Sequence, residues 1–132
     1  LRSFVNKRGL DKKVLFLGYR ADIPELLNIM DIFCMTSFKE GLPLSLIEAM
    51  VAGLPIVGTN VEGIREVVLQ NKNGFLVQID EAEGLSNALL NLFKNEPLRL
   101  KFGEESRFLA KEYSLERCVS EYQNLFLSVL NK

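Results

Sequence analysis

Histidine and tryptophan are absent from this chain of 132 residues, and the first absence removes much chemistry at once. Without an imidazole there is no Ser-His-Asp or Cys-His couple and no His-based metal site. Cysteine is scarce as well. Cys34 and Cys118 are the only two; they lack zinc-ligand spacing and sit in apolar surroundings, which predicts buried thiols in a reducing compartment. No Asp-x-Asp pair occurs either, so no metal and no cofactor are expected. Long apolar runs are missing: none approaches the ~20 residues of a membrane span, and no signal-peptide pattern is visible. Charge of one sign is not in excess. Sixteen basic residues stand against seventeen acidic ones, a net charge of −1, which gives no footprint for nucleic acid.

What is present is ordinary soluble-domain material, 48% hydrophobic and 25% charged, enough for one domain with a real core. Leu1, Phe4 and Val5 share a helical face that Gly9 ends. Val14 to Leu17 is a short apolar run closed by Gly18 and predicts a buried parallel strand. After Gly18-Tyr19-Arg20, Asp22 is placed to cap a helix holding Ile23, Leu26, Leu27 and Met30, with Pro24 near its start. Further strands are expected at Ile32 to Met35, Pro55 to Gly58 and Phe75 to Val77. A helix with Ile64, Val67 and Val68 inward precedes the last of these. The rest is helical: a stripe of Leu85, Ala88, Leu89, Leu92 and Phe93, a helix from Pro97 through Leu100, Phe108 and Leu109, and a last one capped by Ser114. That last helix carries Leu115 to Leu130 as a long apolar stripe. Strands alternating with helices predict an α/β fold with a parallel sheet, whose ligands bind outside the carboxyl ends of the strands.

The segment Phe38 to Val68, FKEGLPLSLIEAMVAGLPIVGTNVEGIREVV, organises the chain. A helix is expected from about Pro43 to Ala52, with Pro43 in its first turn and Gly53 as its stop. Free N–H groups at Gly41, Leu42 and Leu44, with the positive end of the helix dipole, make an anion site. The helix is apolar nearly all round, which predicts burial. Ser45 and Glu48 are its polar side chains, and they share a face. Side chains lean toward a helix N-terminus, so the Glu48 carboxylate aims back at the anion site. Two roles fit it: hydroxyl acceptor for the ribose of a nucleotide, or a structural carboxylate bonded to nearby backbone. Gly18, Tyr19 and Arg20, Thr36 and Ser37, and Thr59 to Gly63 are the other strand-end candidates. Each has a plain alternative as turn, packing or solvated charge.

EGLPLSLIEAMVAGLPIVGTNVEGIREVV closely resembles the nucleotide-sugar-binding segment of group 1 retaining glycosyltransferases, which have two Rossmann-like domains. With FLG upstream and NGFLV downstream, the resemblance covers the whole chain. The family's Glu-x7-Glu pattern falls on Glu40 and Glu48. The resemblance implies a C-terminal donor-binding domain over residues 1–132, truncated at its N-terminus: a parallel Rossmann-like sheet flanked by helices, incomplete, holding the last four strands of a six-strand doubly wound domain, with C-terminal helices. It also implies retaining hexosyl transfer from a nucleotide diphosphate sugar to a glycan or lipid acceptor, which an N-terminal domain absent from these residues would hold. Glu48 would bind the ribose hydroxyls, Glu40 would lie beside the transferred sugar, and backbone from Gly41 through Leu42, Pro43, Leu44 and Ser45 would meet phosphates or sugar hydroxyls. Gly18 and Tyr19 would line the nucleobase pocket. The first strand's usual Arg and Lys that grip the diphosphate are not among these residues, so the isolated chain is expected to be inactive. A cytoplasmic setting, contact with the inner face of the membrane, and self-association of the chain complete the expectations. The alternative class is a non-catalytic module that binds a nucleotide or a partner domain; a hydrolase or epimerase of similar build is a lesser one.

Overall fold

The structure is a computed structural model and describes residues 1–130. Helices α1 (Arg2–Lys7) and α2 (Ile23–Asn28) precede strand β1 (Phe33–Met35). Then come α3 (Leu44–Ala52), β2 (Ile56–Thr59), the single turn α4 (Glu62–Arg65) and β3 (Gly74–Val77). Three helices close the order: α5 (Ala82–Lys94), α6 (Glu96–Ala110) and, after a 3-10 turn, α7 (Leu115–Leu130). The three strands form one parallel sheet in the order β1-β2-β3, with Phe33 opposite Ile56 and Ile56 opposite Gly74.

Strand alternation splits the core between the two sheet faces. One face presents Phe33, Met35, Ile56 and Leu76, which pack with Leu46 and Met50 of α3, with Ile64, Val67 and Val68, and with Ala110. The other presents Val57, Phe75 and Val77 to Leu85 and Leu92 of α5 and to Leu98 and Phe102 of α6. Phe75 and Phe102 meet edge to face, their ring centroids 5.3 Å apart. Helix α6 also fastens the far end of α3. A Cβ on Gly103 would overlap the Gly53 carbonyl oxygen, so the two backbones are in direct contact. Ser106 Oγ donates to the Leu54 carbonyl at 2.7 Å, and Arg107 Nη2 donates to the Ala52 carbonyl at 2.9 Å. Gly53 ends α3 in the left-handed region, φ +81°, as its place after the last apolar turn predicts.

Several expectations are corrected. Val14 to Leu17 forms no strand: the described sheet has three strands rather than four, and Leu15 is 80% exposed. A strand exists only through ladder bonds to a neighbour, and no strand runs beside this stretch among the described residues. Helix α3 is covered on one side only. Leu46, Ala49 and Met50 are buried, whereas Leu44 and Val51 are 70% and 63% exposed and Glu48 is exposed. Phe93, Leu100 and Phe108 likewise point outward; α6 packs instead through Phe102, Gly103, Ser106 and Ala110. Both cysteines are exposed, although neighbouring atoms crowd the Cys34 thiol enough to push its pKa up. Helix α7 buries none of its residues, and no described helix is long and apolar enough to cross a membrane.

Candidate functional site at the strand ends

The carboxyl ends of β1 and β2 open into two connections, 36–43 and 60–61, that touch one another. Thr59, buried at the end of β2, donates its Oγ1 to the Ser37 carbonyl at 2.5 Å. Two residues into α4 the contact is closer still. A Cβ on Gly63 would overlap the Gly41 carbonyl oxygen and stand 2.8 Å from that of Glu40. The start of α4 therefore lies directly against the backbone that carries Glu40. Only glycine permits that approach.

Glu40 is half-buried in this loop, while Gly41 and Leu42 are exposed. Pro43 is extended, φ −76° and ψ 106°, and forms the N-cap, so α3 begins one residue later than the proline alone suggests. Leu46 N–H donates to the Pro43 carbonyl at 3.0 Å. No side chain caps the helix. The N–H groups of its first turn, at Leu44 and Ser45, thus have no side-chain cap, and the positive end of the dipole lies at them. A diphosphate oxygen or a sugar hydroxyl is the complement of such an end.

Glu48 stands one turn further on. Its exposed carboxylate is on the rim of a groove of about 270 Å³ between α2 and α3, lined by Ile23, Pro24, Leu27, Ile47 and Val51. The loop of Gly18 and Tyr19 precedes α2 in the chain and is not among the residues that line this groove. Gly18 adopts φ +67° and Tyr19 is 96% exposed. Arg20 is not a free solvated charge. Its Nε and Nη2 hold the two Asp22 carboxylate oxygens at 2.7 and 2.5 Å. This fork holds the Asp22 carboxyl below its ordinary pKa and takes it away from the N-terminus of α2, which has no side-chain cap.

A second cleft, of about 350 Å³, opens beyond the strand ends, where the candidates Thr36 and Thr59 meet Phe38, Asp80 and Leu85; sequence reasoning missed the part of Asp80 and Leu85. The signal for it was the placing of Thr36 and Thr59 at the ends of two strands. Among the described residues no three Cys, Asp or Glu side chains gather to hold a metal ion.

Comparison with known proteins points one way. A family model described as glycosyl transferases group 1 matches residues 1–108. The N-acetyl-alpha-D-glucosaminyl L-malate synthase of Bacillus anthracis is 34% identical over 129 residues, 97% of this chain and 34% of that protein. Among solved structures, Anabaena HepE in complex with UDP is 27% identical and superposes with a TM-score of 0.85, covering 99% of this chain and 36% of HepE. The C-terminal domain of LpcC, a glycosyl transferase group 1 family protein from Francisella tularensis, is 28% identical with a TM-score of 0.78, covering 86% of this chain and 60% of that one. The chain spans about a third of the length of the curated relatives it matches.

Proposed function

Because this chain belongs to the group 1 glycosyl transferases and matches a C-terminal domain of that family, we propose that it binds the nucleotide diphosphate sugar donor for retaining hexosyl transfer. The observation that carries this is the uncapped start of α3, with Glu40 in the loop before it and Glu48 one turn after it. A donor needs both features. Its diphosphate is anionic and leaves with the electron pair of the anomeric C–O bond, so N–H groups and a helix dipole aimed at that oxygen stabilise the charge as it develops. Its ribose offers two hydroxyls, for which an ionised carboxylate on the same helix is the natural acceptor.

In this assignment Leu44 and Ser45, with the backbone of Gly41 and Leu42 and the turn at Pro43, meet the phosphates or the sugar. Glu48 accepts from the ribose. Glu40 lies beside the transferred sugar, and Gly18 and Tyr19 border the base. That HepE was crystallised with UDP supports a nucleoside diphosphate as the ligand class. The acceptor, a glycan or lipid, is assigned to the remainder of the enzyme, because transfer needs donor and acceptor held in attack geometry.

Glu48→Gln tests the assignment. It keeps the size of the side chain and removes the charge, so the affinity for a nucleoside diphosphate should fall by about 1.5–3 kcal/mol. The measurement is calorimetric titration of the whole protein that carries this chain, with UDP, GDP and ADP tried in turn. Equal affinity of the parent and a folded variant would remove Glu48 from the site.

A further inference from the structure

We infer that the turn from β2 into α4, through Thr59 and Gly63, is a strut that sets the position of the donor-binding loop 36–43. Both are positioning residues, acting through the backbone of Ser37, Glu40 and Gly41. The inference rests on the donor assignment above and goes beyond it, since it names residues outside the donor contacts assigned there.

Three observations carry it. Loop 36–43 leaves β1 and has few anchors of its own: Phe38, Lys39, Gly41 and Leu42 are exposed. Pro43 at its end is buried, and two close contacts of the loop run to the neighbouring connection. Thr59 Oγ1 bonds the Ser37 carbonyl at 2.5 Å near the start of the loop. Near its end, α4 presses on the Gly41 and Glu40 carbonyls at a glycine that no other residue can replace without moving backbone. The strut is itself fixed from behind. Asn60 N–H donates to the Val77 carbonyl at 2.8 Å, Ile64 is fully buried, and Val61 is nearly so. A rigid element thus bears on a loop that holds Glu40 and feeds the start of α3. Displacement of such a group by about 1 Å is enough to cost on the order of 10²-fold in rate.

The test compares Thr59→Val, Thr59→Ser, Gly63→Ala and Gly103→Ala in the whole protein, by UDP, GDP or ADP affinity, melting temperature and the separate KM and kcat for the donor. Gly103→Ala is the matched control. It crowds another backbone carbonyl, that of Gly53, at the opposite end of α3. Expected are a loss of affinity on the order of tenfold in Thr59→Val with recovery in Thr59→Ser, and a larger loss in Gly63→Ala. Gly103→Ala should melt earlier at unchanged affinity. If Gly63→Ala does not fold, the Thr59 pair decides. Parent-like affinity and KM in folded Thr59→Val overturn the inference and leave the donor assignment standing, as do losses that follow melting temperature equally in all four. A parent that binds no nucleotide overturns both.

Discussion

A single side chain can be read from sequence only as far as its partners are local. Arg20 and Asp22 are two residues apart, yet the expectation separated them, into a solvated charge and a helix cap. In the structure the guanidinium fork engages both carboxylate oxygens, a geometry that planar Arg favours over a lone cap interaction. The consequence is measurable. The Arg20 hydrogen bonds lower the folded-state pKa of Asp22, so whatever stability the pair provides is present above the unfolded carboxyl value, ~3.9, and is lost as pH falls through the lower folded one. Arg20→Gln should let Asp22 titrate at higher pH, followed by NMR of its side-chain carboxyl carbon. An unchanged titration would mean that the fork is not maintained in solution. Glu48 shows the other limit. Its helix position was legible from spacing, and its exposure was not, because exposure depends on what packs beside α3 from 20 residues upstream.

At the scale of elements, boundaries were legible and faces were not. Gly53, Pro55 and the Asn73-Gly74 turn marked the ends of α3, β2 and the approach to β3 close to where they fall. The apolar circumference of α3 gave no preferred side, and the sheet supplied it through Leu46, Ala49 and Met50. In α6 the large residues Leu100 and Phe108 drew attention, while the buried face is made of Phe102 with Gly103, Ser106 and Ala110. Small residues there let α6 approach Gly53 and Leu54 closely, and periodicity of bulky side chains is blind to that. The turn into β3 hides a similar device. Asn73 is fully buried; its Oδ1 accepts from Leu69 N–H at 2.7 Å and its Nδ2 donates to the Val67 carbonyl at 3.2 Å. Asn73→Ala leaves both backbone groups without that partner and should cost about 1–3 kcal/mol, read as a lower urea midpoint at constant slope. A loss below about 0.5 kcal/mol, the range of ordinary surface changes, would show that water takes over both bonds.

Across the whole molecule, large apolar surfaces remain uncovered. All of α7 is exposed, including Tyr122, Leu125, Phe126 and Val129, and so is the run from Val14 to Leu17. Strand β1 offers an unpaired edge among the described residues, whereas the outer edge of β3 is bonded by Asn71 N–H to the Gly74 carbonyl at 2.9 Å and by Leu76 N–H to Gln70 Oε1 at 2.7 Å. Surfaces and edges of this kind recruit partners. Val14 to Leu17 does not pair with β1, whose described partner is β2 alone. The 132-residue chain by itself should therefore self-associate at micromolar concentration in sedimentation velocity and bind a hydrophobic dye. A stable monomer that binds no dye would show that these surfaces are covered within the chain in solution.

The sequence alone determined the alternation of helices and strands, the parallel α/β class, and the loop-helix unit with Glu40 and Glu48 at fixed places on it. Those follow from periodicity and from glycine and proline chemistry, which act over a few residues. Tertiary structure decided which face of each helix is buried, that Val14 to Leu17 is no strand, and that Gly63 bears on Gly41 across 22 positions of chain. Such contacts depend on how parallel strands align side by side, and strand register is fixed by the packing of both sheet faces at once.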